Sequence, residues 1–332
     1  MSGPESFLVF GGMRDEGAWL VEWVSWQRML GFDILIAVND CTDHSPQLLQ
    51  AFAEAGWLTW FAHRPRPGQP PKASAHAAMM GRPERQAADW MLICDVDEFL
   101  VLHRGDGTVR SFLDDLGRDH LGVAFHWRCF GNSGWDRYQD GLVHRQFQRC
   151  GPNGMRPNIM VKTLTRTPRR FGAFSDHGPW KFEGEMGAGR NVIVDSAGRV
   201  IERFSTGPHP VRYTSPEEIE HSGGQMNHYV VRSDEHWAMK KGTASASAGK
   251  DRYTEQFHRA RNRNGRRDAS ALAYRDRFDR IHAEAVALPG VARLHHLCCA
   301  DYVARLCASR GADPAEDPRW QDHMAEAAAL SA

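Results

Sequence analysis

The sequence predicts an α/β fold: a mainly parallel, Rossmann-like sheet with helices on both faces, followed by a C-terminal helical region. Three observations carry this reading. Short apolar runs alternate with amphipathic stretches through the first hundred residues. Several of those runs end in polar clusters, and beyond about residue 215 the pattern turns mostly helical. A chain of 332 residues holds one large domain with an appendage, or two domains. The change of pattern assigns 1–240 to the sheet-bearing domain and 241–332 to the helical region.

In order, 7–10 is an apolar strand ending at Gly11 and Gly12. Over 15–30, Trp19, Leu20, Trp23, Val24 and Leu30 fall at helical spacing. The second strand is 33–38 and ends at Asn39 and Asp40. Ser45 reads as an N-cap with Pro46 at the first helical position, and Leu48, Leu49 and Phe52 form that helix's apolar face. A third strand covers 57–61, a helix 73–88, and a fourth strand 90–94 runs straight into Asp95. Beyond it, 121–127, 142–148 and 159–164 read as strands, and 191–204 as a hairpin turning at 196–198. Helices are expected over 216–240, 251–263, 268–287, 291–309 and 318–330, with 242–250 a small, polar, mobile loop.

Composition narrows the function classes. The 41 basic and 41 acidic residues cancel, so no global field for nucleic acid is present. Charge is local instead: 240–267 carries nine Lys or Arg against two acids. That is the signature of a solvated face, or of a site for phosphates, an anionic acceptor or peripheral membrane contact. The seven Cys spell no CxxC pair, which fits a reducing cytoplasm. His295, His296, Cys298 and Cys299 look metal-like, but neighbours on a helix point in different directions, so a packed helix is expected. The N-terminus does not read as a signal peptide, and no apolar run is long enough for a transmembrane helix. The 11 Trp suit a heavy core or sugar-stacking surfaces.

In open α/β sheets ligands bind beyond the carboxyl ends of the strands, which puts 11–16, 39–43 and 95–98 on one rim. There, Asp95 and Asp97 flank Val96 directly after a buried strand. Hard divalent cations favour oxygen ligands, and Mn²⁺ or Mg²⁺ takes one or two carboxylates plus substrate phosphates. Such a cation acts as a Lewis acid on a diphosphate leaving group. Glu98 is expected to orient a neighbour rather than to bind metal. Trp127, Phe130, Gly131, Ser133 and Gly134 form either a sugar-facing loop or a buried aromatic strand with a turn. Gly184–Gly189 lacks a preceding strand and following helix, so it is no dinucleotide fingerprint, and neither a GxxxxGK[ST] loop nor a GxSxG elbow occurs.

The stretches 13–52 and 89–102 resemble the GT-A glycosyltransferases of family 2, and more closely the branch related to family 92. The aromatic-glycine segment 126–135 and the later segment 225–241 are similar to the same branch. The resemblance implies that 13–16 borders the nucleotide, with Arg14 near the diphosphate or base and Glu16 structural or donor-facing, and that Asn39, Asp40 and Asp43 meet base or ribose. It also implies that Asp95 approaches ribose and metal while Asp97 binds the metal. From the residues alone, Arg14 and Asp15 are equally a helix-start charge pair, and Asp43 a turn residue. A distant His often completes such a metal site; His228 is the choice here, with His177 and His209 as rivals. Inverting transfer needs a carboxylate base, for which Asp176 is chosen over Asp136 and Glu183. The ED and QxxRW elements of processive synthases are absent.

The expected function is a metal-dependent, inverting transfer of a sugar from a nucleoside-diphosphate sugar to a saccharide or lipid-linked acceptor. Cell-surface polysaccharide synthesis at the inner face of the membrane is the implied setting. The rivals are a sugar nucleotidyltransferase, for which GGMRDEG is a poor phosphate loop, and a non-catalytic carbohydrate-binding protein of the same fold.

Overall fold

Alternation at period two sorts the first strands onto two faces. In β1 (Phe7–Met13), Phe7 and Val9 join one apolar cluster while Leu8 and Phe10 join another. The computed structural model describes residues 5–206, 210–247 and 249–330. After β1 come α1 (Gly17–Leu30), β2 (Asp33–Val38), α2 (Ser45–Glu54), β3 (Thr59–Ala62), α3 (Pro71–Met79), α4 (Pro83–Ala87), β4 (Trp90–Ile93) and β5 (Glu98–Leu102). Then follow α5 (Val109–Leu116), β6 (Gly122–Cys129), α6 (Val143–Gln146), β7 (Arg149–Cys150), β8 (Val161–Arg166), β9 (Phe171–Ser175), β10 (Gly178–Phe182) and β11 (Ile193–Asp195). The chain ends with α7 (Glu202–Ser205), β12 (Gly224–His228), α8 (Asp234–Lys240), α9 (Glu255–Arg261), β13 (Arg266–Arg267), α10 (Arg275–Val286), α11 (Val291–Ser309) and α12 (Pro318–Ala329).

The main sheet runs β3-β2-β1-β4-β8-β6-β12-β5, with β11 beside β6. Parallel pairings join β1 to β2 and β4, β2 to β3, and β6 to β11 and β12. Antiparallel pairings join β4 to β8, β6 to β8, and β5 to β12. The expected mainly parallel α/β architecture is therefore present, with the helical C-terminus beside it. One face carries α1, α2, α10 and α11; the other carries α3 and the β9–β10 hairpin. On the first of these faces Trp26 is fully buried, touching Phe99, Tyr274 and Phe278 and donating its indole N–H to Leu100 O at 2.9 Å. Core packing thus runs continuously from α1 into the C-terminal helices. Trp19, Trp23, Trp90, Trp127 and Trp237 are buried as well. Among the described residues no helix is long and apolar enough to cross a membrane.

Several local expectations are corrected. Ser45 is the first helical residue rather than the cap, because its N–H and hydroxyl both go to Asp43. The helix expected over 73–88 breaks at Gly81–Arg82, where Pro83 starts a second helix. The strand expected over 142–148 is the short helix α6, since buried Glu22 accepts the N–H groups of Val143 and His144 at 2.7 and 3.1 Å. The return arm expected in 191–204 makes one bridge, Val194 to Val200, before α7. Within 216–240 lies the strand β12, all of it buried. Its polar side chains find partners there: Gln225 donates to Asn227 and Asp268, and Asn227 to Tyr229. Polar residues at apolar positions concealed that strand. The loop expected over 242–250 contacts α3, where the Lys72 N–H donates to Ala246 O at 3.2 Å.

Candidate functional site

The chain leaves β1 for β2 and β3 on one side, then crosses back to β4 on the other, so the carboxyl ends of β1 and β4 form a topological switch point. A cavity of about 500 Å³ lies there. Arg14 and Glu16 after β1, Asn39 after β2, and Asp95 and Asp97 after β4 all line it.

The turn after β4 is held from three sides. The Asp95 N–H donates to Glu98 Oε2 at 2.8 Å, Trp23 Nε1 donates to Asp95 O at 2.9 Å, and the Tyr229 N–H donates to Asp97 O at 2.8 Å. Glu98 thus orients its neighbour, and Tyr229 is pinned by the strand that carries His228. Antiparallel pairing of β5 with β12 sets Glu98 opposite His228. That register brings Asp97 Oδ2 to 3.7 Å from His228 Nε2, with the Trp127 ring 4.0 Å from the imidazole, centroid to centroid.

Asp95 is differently placed. Its Oδ2 accepts from Lys72 Nζ at 2.5 Å and lies 3.3 Å from Lys162 Nζ. Lys162 is fully buried in β8 and also stands 2.8 Å from Glu98 Oε2. Burial works to raise the Asp95 carboxyl, but Lys162 and Lys72 outweigh it and hold it below the usual range. For Asp97 burial is likewise outweighed, here by His228, Lys240 and Arg232, and the carboxyl sits well below its ordinary value. Burial lowers His228 and Lys240 against the pull of Asp97. Glu16 is raised by burial although Arg232 Nη1 is 3.5 Å away, with that guanidinium stacked 3.6 Å over Trp19.

Asp176 faces the same cavity, 3.7 Å from His76 Nε2. Burial pushes it up, yet Lys72, His76 and Lys162 hold it well below the carboxylate range, so it is ionised. Burial, with Lys72 and Lys162 adding to it against the pull of Asp176 and Asp95, takes His76 down to about 4. From the C-terminal region, Arg252 and Tyr253 close one side and Tyr302 and Arg305 another, with Arg305 donating to Asp15 O at 3.0 Å.

The remaining sequence-predicted residues stand elsewhere. Asp43 does not line the cavity; its carboxylate accepts from the Gly17 N–H at 3.2 Å and from Ser45, joining α1 to α2. Asp40 is exposed in a left-handed turn and accepts from Asn39. Gly131 and Ser133 pack on the 262–264 segment, where the Ser133 N–H donates to Asn264 and a Cβ at Gly131 would strike Asn262 and Asn264; Gly134 turns beside them, its N–H donating to Asn132 Oδ1. Asp136 and Glu183 lie outside the cavity lining, and their backbone groups bond Glu235 and Arg170. His177 lines the cavity but its Nδ1 faces Val161 O at 3.0 Å. His209 lies outside the described residues.

The donor set can be tested against a divalent cation. Cis donors on an octahedral Mg²⁺ stand about 3 Å apart and trans donors about 4 Å. The Asp97–His228 separation of 3.7 Å lies between those values, so the pair fits one cation shared with phosphate oxygens once it closes by under about 1 Å. Asp95, already held by two lysines, fits only as a charge partner or after Lys72 moves. Among the described residues, the groups of three donors within 4.8 Å of one another are Asp140, Cys299 and His323, and Asp15, Cys41 and Asp43; neither includes Asp97.

Sequence reasoning missed the cations Lys72, Lys162 and Arg305, and met Arg252 only as part of the basic 240–267 stretch. Two of them left a signal. Lys162 is the charged residue within the run 159–164 read as a strand, and a buried lysine requires a partner. Lys72 opens a helix immediately after the third parallel strand, on the ligand-binding rim.

No family model matches this chain, and no curated protein matches it. Solved structures do. S. aureus TarS is 10% identical with a TM-score of 0.35, covering 98% of this chain and 54% of that one, so this chain spans about half of TarS. TarS 1-349 in complex with UDP-GlcNAc is 9% identical, TM-score 0.34, covering 96% and 90% of the two chains. A glycosyltransferase involved in glycosylation of the major capsid of PBCV-1 is 12% identical, TM-score 0.22, covering 49% and 61%. Similarity this low carries no argument about chemistry, which rests on the geometry above.

Proposed function

We propose that this protein is a glycosyltransferase that takes a sugar from a nucleoside-diphosphate sugar. One observation carries the reading: Asp97 and His228, distant in sequence, meet at 3.7 Å inside a cavity at the switch point whose walls hold Arg14, Lys72, Lys240, Arg252 and Arg305. Carboxylate and imidazole beside many cations suit a metal-bound diphosphate, since each cation offers charge-assisted contacts to phosphate oxygens. Asp97 and His228 would hold Mn²⁺ or Mg²⁺, which when bound neutralises charge on the departing diphosphate. Lys72 and Lys240 would share that charge on either side. Asn39, after β2, would meet the base or ribose. Trp127 would offer an aromatic face to the sugar.

Asp176 is the acceptor-side base in this reading. It is ionised and lines the same cavity. Its low proton affinity makes it a weak base until a ligand draws Lys72 away. Transfer with inversion, a saccharide or lipid-linked acceptor, a setting in cell-surface polysaccharide synthesis, and the division at residue 240 belong to the same proposal. The test is release of nucleoside diphosphate from a panel of nucleoside-diphosphate sugars with Mn²⁺, for wild type and Asp97→Asn. Turnover of one donor class, reduced about 100-fold or more in the variant, supports the reading. Equal release by both proteins removes Asp97 from the mechanism.

A further inference from the structure

A second cluster lies away from this cavity, on the helices. His295 and Cys299 stand four residues apart on α11, so they share one face. The HHLCC run therefore does not scatter its donors as adjacent positions would: His295 and Cys299 converge while Cys298 turns toward Gly17. His323 arrives from α12, which packs along α11, and Asp140 from the segment before α6. His295 Nε2 is 3.6 Å from Asp140 Oδ1 and 3.7 Å from Cys299 Sγ. Donor atoms of Asp140, Cys299 and His323 all lie within 4.8 Å of one another.

The His295 distances to Asp140 and Cys299 match a metal centre; the group within 4.8 Å does not include His295, so the four donors would have to draw together on the ion. With Zn–N near 2.0 Å and Zn–S near 2.3 Å, the edges of a zinc tetrahedron are about 3.4–3.6 Å. We propose that Asp140, His295, Cys299 and His323 form a structural zinc site. The ligand types favour Zn²⁺ over Mg²⁺ or Ca²⁺, because thiolate and imidazole are soft or borderline donors. One thiolate and one carboxylate balance the metal's two charges, and four protein ligands close the shell. Cys299 and His323 are buried while Asp140 is exposed, which gives the ion an entry side. His296 Nδ1 stands 3.1 Å from His323 Nδ1, placed to orient that ring.

The site would brace the cavity wall. It ties α11, α12 and the 138–140 segment together, and the Tyr138 ring packs edge-on at 4.6 Å against Tyr302, which lines the cavity. The inference does not depend on the reaction proposed above.

The experiment measures bound metal on the whole chain. Protein desalted after exposure to Zn²⁺ is assayed for metal content, and chelator-treated protein is titrated with Co²⁺. About one tightly held zinc per chain is expected, with Co²⁺ giving tetrahedral d–d bands and a thiolate charge-transfer band. Cys299→Ser should abolish that band. Cys129→Ser, whose native sulfur is 4.0 Å from His228 Nδ1, should keep it, which separates this centre from the one at Asp97. His296→Ala should keep the band with affinity lower by about 10-fold or more. If Cys299→Ser does not fold, His323→Gln and Asp140→Asn report the same loss of affinity. Folded wild type that retains no zinc and shows no thiolate band overturns the proposal. So does a band that survives in folded Cys299→Ser.

Discussion

Replacing Lys72 by methionine keeps much of the side chain's length but removes a charge that now sits 2.5 Å from Asp95 Oδ2. With an effective dielectric of about 20, that contact is a gross attraction of about 7 kcal/mol, and the Lys162 contact at 3.3 Å about 5 kcal/mol. Desolvation takes back most of both, but the ratio says that Asp95 stays anchored by Lys162 when Lys72 is lost. In the proposed reaction Lys72 turns toward the diphosphate. Losing one charge-assisted contact costs about 1.5–3 kcal/mol, roughly 10- to 150-fold in affinity. Mn²⁺ works in the opposite direction, because Lys72→Met removes one of the two cations on Asp95 Oδ2 and so weakens the repulsion a metal ion would meet there. Calorimetric titration of UDP, GDP, ADP and CDP into wild type and Lys72→Met, with and without Mn²⁺, separates the two effects. The loss should be large without metal and smaller with it. Equal affinity of both proteins without metal, or a greater loss with Mn²⁺, would refute the assignment of Lys72 to the diphosphate.

Other consequences are open to direct measurement. A Cβ at Gly17 would overlap Cys298 and the Ser45 hydroxyl, so Gly17→Ala should destabilise by about 1–3 kcal/mol in urea unfolding, with an unchanged m-value. Glu22→Gln places an amide donor against N–H groups of α6 and should cost about 1–3 kcal/mol by the same method. Burial holds His120, His126 and His221 down to about 4. A histidine whose folded pKa is depressed binds its proton more readily when unfolded. Stability is therefore full above about 6.5 and falls as pH drops toward 4, by up to about 3 kcal/mol for each ring. Calorimetric melting from pH 7.5 to 4.5 should show that decline; a flat profile would mean these rings are not buried neutral.

The sheet's first half was legible because its strands are apolar on both faces and end in polar clusters, as 33–38 and 90–94 do. Strand β12 was not, because Gln225, Asn227 and His228 are buried with hydrogen-bond partners that only the folded chain supplies. Helix α6 was hidden for a similar reason: its N-terminus is capped by Glu22, far away in sequence. The pair Asp95 and Asp97 stood out as carboxylates after a buried strand, and His228 joined them only through a resemblance. What brings His228 within reach of Asp97 is the β5–β12 register. The 131–134 loop shows the converse, since an aromatic-glycine pattern serves equally to pack against Asn262 and Asn264. At 291–309, helical spacing argued against adjacent ligands, yet spacing of four along the helix brings His295 to Cys299, and Asp140 and His323 reach Cys299 from elsewhere.

The central claim is that Asp97 and His228 hold a cation beneath a nucleoside diphosphate. A thermal-shift panel of nucleoside diphosphates, each with and without Mn²⁺, on wild type and Asp97→Ala tests it most directly, because selective binding raises the melting temperature by mass action. A rise with one nucleotide that requires Mn²⁺ and vanishes in the variant is the predicted result. A well-folded wild type that responds to no nucleotide, or a response unchanged in Asp97→Ala, would contradict it.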